Sequence, residues 1–369
     1  MNKTTEEEHK GKEKIVKLDL SNSVALSAKI FFLVIFILTA VLQPVIPQSG
    51  INAGQHSLRI VFYNVENFFD PYPDTTTSYN EFTPEGERHW TEKRFQLKRQ
   101  HIYKVIAALG GWEPVAVMGF AEIENRLVIE DLIRKTPLKN DHYSIVHFES
   151  NDHRGIDVGA IYLSDRLKLL HAEPIHLKDK NDSVLRTRDI LYMKFLLAGD
   201  TLHVFFNHWP SRYGGLLETQ GLRHLASSVL KSFTDSICRV SLSPNILIMG
   251  DFNDDPDDES IRFLTDSAGE CGLETLTPVP MYNHVKGTLK YQAGWNIFDQ
   301  AIVSVALSKH SNGLGISSQE EMIFDAGFLL EKDEKNLGYK LNRTYAGFKY
   351  KGGYSDHLPV FVDIYSTNQ

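Results

Sequence analysis

Cysteine is scarce in this sequence: 369 residues contain two, Cys238 and Cys271. Neither sits in a Cys-x-x-Cys or Cys/His spacing, which excludes a structural zinc site and a disulfide-stapled scaffold. An exported chain can pair the two, but a free or buried pair is the expected state. Long hydrophobic runs are also missing. The main one, 30–42 (IFFLVIFILTAVL), has 13 residues, short of the roughly 20 that a bilayer-spanning helix needs. There is no internal repeat, no low-complexity tract and no surplus of positive charge, since 39 Lys and Arg face 47 Asp and Glu. An acidic chain exerts no general pull on a long polyanion, which excludes nucleic-acid binding by bulk charge alone.

The beginning of the chain differs from the rest. Residues 1–20 are polar and rich in Lys and Glu, and the apolar run follows Lys29 and ends at Gln43-Pro44. Over residues 1–50 this reads as a secretory signal peptide with a long polar n-region, or as an uncleaved signal anchor that leaves the protein tethered. The expected location is therefore outside the cytoplasm, periplasmic or extracellular. No cysteine follows the apolar run, so a lipid anchor is not indicated. Without residues 1–48 the chain keeps 33 basic and 42 acidic groups, a formal charge of −9.

The remainder can bury a large core: the composition is 42% hydrophobic, with 21 Phe and 15 Tyr. One domain over 57–366 is expected. Short runs rich in β-branched and aromatic residues predict strands at 58–63, 115–120, 143–148, 158–163, 190–197, 202–206, 246–249, 298–303 and 358–364. Helical periodicity appears at 92–109, 127–134, 219–240 and 259–266. Several strands follow one another without a helix, so two sheets packed face to face with helices outside fit better than a βαβ sheet. The segments 71–90 and 305–352 read as long loops, a kind that usually carries function.

Polar groups interrupt six strand ends: Asn64 and Glu66, Glu122, Asn207-His208, Asp251 with Asn253, Asp299, and Asp356-His357. Singly, each is as good a turn former or cap as a functional group. Together they supply the hard oxygen donors that Mg²⁺, Mn²⁺ or Ca²⁺ requires, with no thiolate to favour zinc. His357 and Asp299 form a candidate dyad, because a carboxylate on the second ring nitrogen fixes the tautomer of an imidazole base.

With Gly250-Asp251-Phe252-Asn253 and Ser355-Asp356-His357 as its anchors, the chain resembles the endonuclease/exonuclease/phosphatase superfamily, which includes DNase I and the neutral sphingomyelinases. The family's ordered markers are an Asn at the first strand, a Glu after the second, a middle His or Asn, Gly-Asp-x-Asn, a later Asp and a final Ser-Asp-His. All are present between 58 and 364. The resemblance implies a DNase I-like α/β fold, a four-layer sandwich of two mixed sheets between helices. It also implies metal ligation by Glu122 with Asn64, Glu66 and Asp356, and phosphate and water handling by Asp251 and Asn253. His208 is implied at the phosphoryl or leaving oxygen, and His357 with Asp299 as the base pair. Arg154, Arg212 and Asn207 are candidate substrate contacts, while Trp209, Tyr291, Trp295 and Tyr350 either stack on substrate or pack.

The segment 295–300 (WNIFDQ) lacks the Pro-x-Trp-Cys-Asp-Arg string of inositol phosphatases. The resemblance thus points to an exported nuclease that cleaves DNA or RNA phosphodiesters. The alternative is a phosphodiesterase on a lipid headgroup or small phosphoester, for which 323–330 is the best candidate apolar loop. A lesser alternative is an inactive binding module. No protein partner is implied and the chain reads as a monomer.

Overall fold

The computed structural model describes residues 57–73, 79–266, 272–311 and 313–366. The expected export segment lies outside them, and among the described residues no helix is long and apolar enough to cross a membrane. In chain order the strands of the two large sheets are β1 (Ser57–Phe68), β2 (Val117–Ile123), β3 (Tyr143–His147), β4 (Asp157–Leu163), β5 (Lys168–Ile175), β6 (Ile190–Leu197) and β7 (Asp200–His208). They continue with β8 (Asn245–Asp251), β9 (Leu273–Thr275), β10 (Thr277–Pro280), β11 (Asp299–Ser304), β12 (Leu314–Ile316), β13 (Glu320–Ile323) and β14 (Val360–Ser366). The longer helices are α1 (Glu92–Gly110), α2 (Arg126–Arg134), α3 (Leu216–Val240) and α4 (Glu259–Leu264).

One sheet runs β10-β13-β14-β1-β2-β4-β3, with β12 also on β14; the other runs β5-β6-β7-β8-β11-β9. Both are mixed: β1–β2 and β7–β8 are parallel, while β1–β14 and β8–β11 are antiparallel. Strand alternation explains the layering. On β7, Leu202, Val204 and Phe206 join the core between the sheets, whereas Phe205 packs with Ala226 and Leu230 of α3 in a second core. On the far side of the first sheet, Ile102 and Val105 of α1 and Val128 and Leu132 of α2 complete the main core. The expected four layers result. The sheets approach closely at Gly119, where an added Cβ would lie 2.4 Å from the Phe206 ring, so only glycine fits between the sheets there.

The differences from expectation have local causes. Strand β5 was not expected because its sequence, KLLHAEPI, is charged and half-exposed, as suits an edge strand. The expected loop 305–352 carries β12, β13 and two small hairpins, which short strand lengths hide from periodicity. In the candidate apolar loop, Ile323, Phe324, Leu329 and Leu330 are buried in the main core and Phe328 is partly buried against it, so the segment offers little greasy surface. Cys238 is disulfide-bonded and no free cysteine remains among the described residues, against the expectation of a free or buried pair; the other cysteine, Cys271, lies outside the described residues. Spacing alone carries no signal of that bond.

Candidate active site

Strand register gathers most of the polar groups. Asp251, the last residue of β8, pairs directly with His208 on β7 and with Asp299 on β11. Asn64 on β1 is level with Ala121 on β2, one residue before Glu122. The two sheets meet where the Asn64 side-chain amide donates to Asp251 Oδ2 at 3.0 Å. The turn before β14 then brings in His357, whose backbone N–H donates to Ser355 Oγ at 3.1 Å.

His357, Asp299 and Asp251 form a dry cluster. His357 Nδ1 lies 2.7 Å from Asp299 Oδ2, and its Nε2 faces Asp251 Oδ2 at 3.7 Å. Burial opposes charge on this ring, but Asp299, Asp251 and Asp356 outweigh it and hold the imidazole well above its ordinary value. His357 is therefore a charged donor at neutral pH, where a base had been expected. Asp251 is pushed up to about 6, first by burial and then by Asp299, with His357 pulling the other way. His208 Nε2 is 3.6 Å from the same Asp251 oxygen. Burial, followed by Arg188, Arg154 and His357, holds it well below the usual histidine range, so it is neutral. A neutral ring donates a hydrogen bond but has no spare proton for a leaving oxygen.

Beside this cluster, chain geometry is bent on purpose. The β1–β2 ladder skips from Asn64/Ala121 to Phe68/Ile123, and the β2–β4 ladder leaves Glu122 unopposed. Glu66, Asn67 and Glu122 adopt φ of 53°, 57° and 63°, and Asn253 follows at 53°. Left-handed non-glycine residues cost roughly 1 kcal/mol or more each and collect at functional sites. Here the bulge turns Glu122 out of strand alternation. Its Oε2 accepts the Asn67 N–H at 2.8 Å, which leaves Oε1 free of a protein hydrogen bond among the described residues.

The charges around Glu122 are answered by cations that the sequence did not advertise. Arg343 Nη2 donates to Asp356 Oδ2 at 2.6 Å, and its Nε lies 3.5 Å from Glu66 Oε1. Lys98, 2% exposed, donates to Thr344 Oγ1 and the Tyr354 carbonyl. Its burial lowers it to about 8, against the pull of Glu66, Asp356 and Glu122. A signal existed for Lys98, because it shares the apolar face of α1 with Phe95, Ile102 and Val105. Arg343 stands in a segment without periodicity and had none.

Glu66, expected as a metal ligand, is a loop anchor instead. Its Oε2 accepts the Thr344 N–H at 2.6 Å and its Oε1 the Tyr345 N–H at 3.1 Å, and the residue is 3% exposed. Burial, then Asp356, pushes it up to about 7. Two expected substrate contacts are also spent elsewhere. Asn207 is buried, donating to the Met249 carbonyl and accepting from Trp209 Nε1; strand alternation turns it away from the face of His208. Arg212 donates to the Asn253 carbonyl at 2.7 Å and to Asp254 and Asp258 at 3.1 and 2.6 Å, with the Phe298 ring below it. It fastens the acidic loop after β8. Asn253 spends its own side-chain amide on the Trp209 carbonyl at 3.0 Å, and Trp209 is core. The Arg154 side chain is 27% exposed, with its Nε 3.7 Å from Asp152 Oδ1.

Does this site fit a divalent cation? Among the described residues, the ligand atoms of Asp251, Asp299 and His357 converge within 4.8 Å, as do those of His147, Glu149 and Asp157. Glu122, Asn64 and Asp356 are in neither set. A charged His357 has no lone pair to give, and Asp157 already pairs with His147 at 3.0 Å and takes the Ser150 N–H. Glu122, with a free oxygen beside an acid-rich, cation-balanced patch, has the hard-oxygen chemistry that a divalent ion takes.

Three solved structures share the fold. The human Nocturnin catalytic domain with bound sulfate matches with a TM-score of 0.51 at 15% identity, over 84% of this chain and 95% of that one. A mannosyl-6-phosphatase from Bacteroides thetaiotaomicron gives 0.53 at 13%, over 84% and 99%. An endonuclease/exonuclease/phosphatase from Bacteroides vulgatus gives 0.51 at 13%, over 84% and 98%. Identities this low concern the fold alone. No curated protein sequence matches the chain. The sequence profile of one family, however, matches residues 59–366, nearly the whole described fold, and so the chain belongs to the endonuclease/exonuclease/phosphatase family, whose members are metal-dependent phosphoester hydrolases.

Proposed function

We propose that the protein is an exported phosphodiesterase that cleaves nucleic-acid strands with the help of Mg²⁺, Mn²⁺ or Ca²⁺. The observation that carries the chemistry is the Asp299–His357–Asp251 line, 2.7 and 3.7 Å between partners, at the meeting of the two sheets. Asp251, pushed up to about 6, is matched to take a proton from an attacking water near neutral pH. Asn64 orients it through the 3.0 Å bond, and the Asn253 N–H holds its other oxygen at 3.1 Å. His357, kept charged by Asp299, offers Nε2–H to developing negative charge, and neutral His208 adds a hydrogen bond. Asn64, Glu122 and Asp356 would hold the metal. When bound, a divalent cation there neutralises phosphate charge and polarises a phosphoryl oxygen.

A strand substrate is favoured by what surrounds these groups. Arg154 and Arg186, with Arg126, line a polar cavity of about 1080 Å³ and offer guanidinium groups to phosphate among the acids Asp70, Glu124, Glu149 and Asp152. The lipid alternative loses its support with the burial of 323–330. Export rests on the 1–50 pattern, and the disulfide at Cys238 supports an oxidising compartment.

The test is hydrolysis of plasmid DNA, RNA, sphingomyelin and bis-p-nitrophenyl phosphate with each metal, beside a His357→Ala control. Turnover of the small diester with no cleavage of either nucleic acid sinks the nuclease reading.

A further inference from the structure

The cavity shares a wall with the segment that carries Glu122. Glu124 and Asn125, two and three residues past Glu122, form part of its wall, with Asp70, Tyr72, Arg154 and Arg186 around it. The wall is built firmly: the Asp70 N–H donates to Glu124 Oε2 at 2.7 Å, and Asn125 donates to Asp70 Oδ2 at 3.3 Å while capping α2 through Val128 N–H. Arg154 reaches both sides, lining the cavity and standing close enough to His208 to disfavour its charge.

Two lining side chains have no structural duty. Tyr72 is 66% exposed, and among the described residues only its backbone N–H is bonded, to Asp70 Oδ1. Arg186 is exposed and makes no hydrogen bond or ion pair among the described residues. An idle aromatic face and an idle guanidinium in one polar cavity are the two elements by which proteins hold unpaired nucleotides, one stacking the base and the other taking a phosphate. Duplex DNA presents neither a free base face nor a narrow enough profile to enter a cavity.

We infer that this cavity is a subsite for one unpaired nucleotide next to the scissile phosphate, with the base stacked on Tyr72 and the adjoining phosphate on Arg186. The inference rests on the nuclease reading and makes the substrate a single strand, DNA or RNA.

The experiment measures anisotropy of short fluorescein-labelled oligonucleotides carrying hydrolysis-resistant phosphorothioate linkages. Each of DNA, RNA and the blunt DNA duplex is titrated with the full chain in Mg²⁺. The same is done with Tyr72→Ala and Arg186→Glu, and bis-p-nitrophenyl phosphate turnover is followed in parallel. Wild type should bind single strands about tenfold tighter than duplex, and each variant should lose about fivefold or more on single strands. Single-strand binding undiminished in both variants overturns the subsite alone, as does duplex binding equal to single-strand binding. A wild type that hydrolyses the diester yet binds no strand overturns the nuclease reading, and the subsite with it.

Discussion

Two groups of acids stand side by side at the strand ends, and they are assembled by opposite means. Asp251, Asp299 and His357 are 0–6% exposed; register between neighbouring strands places the two acids and the turn before β14 delivers the imidazole between them. Glu122 and Asp356 are partly exposed, and with Glu66 they are answered by Arg343 and Lys98, from a loop and a helix distant in sequence. The first group is rigid and self-contained. The second is a set of carboxylates whose positive partner is exchangeable, which is what a site for a mobile cation needs.

The largest expected effect breaks the first group from within. Asp299→Asn keeps the shape but removes the charge that holds His357, and kcat on bis-p-nitrophenyl phosphate should fall by about 10³-fold or more. A loss under tenfold, in a variant that melts like wild type, shows that the dyad is ornamental.

The next effect concerns stability. Asp251 binds its proton more tightly folded, at about 6, than unfolded, so stability is lost as pH rises through that range and the ionised carboxyl is a cost at pH 7. Asp251→Asn should abolish turnover and yet stabilise the fold at pH 7 by about 2 kcal/mol, after allowance for a weakened hydrogen bond. The gain should vanish in melts below pH 4. Destabilisation at pH 7 contradicts a cluster under charge strain.

His203, five residues before His208 on β7, shows how much of the histidine effect is plain burial. Burial and then Lys194 lower it to about 4, while Tyr192 Oη lies 2.7 Å from its Nδ1. The unfolded chain binds that proton more readily, so stability is full above about 6.5 and falls as pH drops toward 4. His203→Gln should flatten the slope between pH 6.5 and 5 by roughly 2 kcal/mol. An unchanged slope means the acid loss comes from the catalytic cluster.

The same contrast decides what could be read from sequence. Strand ends, and hence Asp251, Asp299, His208 and His357, follow from apolar runs that stop at polar residues, because register does the rest. The partners of Asn207 and Arg212 also have signals in the chain: residue 207 must face away from residue 208, and Arg212 meets the acid-dense segment 253–258. Glu321 is fully buried behind β11, accepts the Ala301 N–H, and is raised well above its usual range first by burial. No pattern of residue types foretells such a pairing, nor the role of Arg343, since Glu321 meets β11 only after the chain reverses and Arg343 meets Glu66 from the far end of the chain.

Arg343 therefore gives the smallest but sharpest test. Its side chain is 41% exposed, so solvent screens the pairs with Asp356 and Glu66, and Arg343→Gln should cost only about 1 kcal/mol, or roughly 2 °C in a chain of this size. The consequence lies in how metal repairs it. With the guanidinium gone, Asp356 and Glu66 repel each other with only Lys98 to answer them both, and a divalent cation can replace the counter-charge that Arg343 supplied. Adding Mg²⁺ should thus raise the melting temperature of Arg343→Gln by more than it raises wild type, whereas Asp299→Asn should show no extra gain. Equal metal-induced shifts in all three proteins would mean that arginine and metal do not answer the same carboxylates, and that the second group is as self-contained as the first.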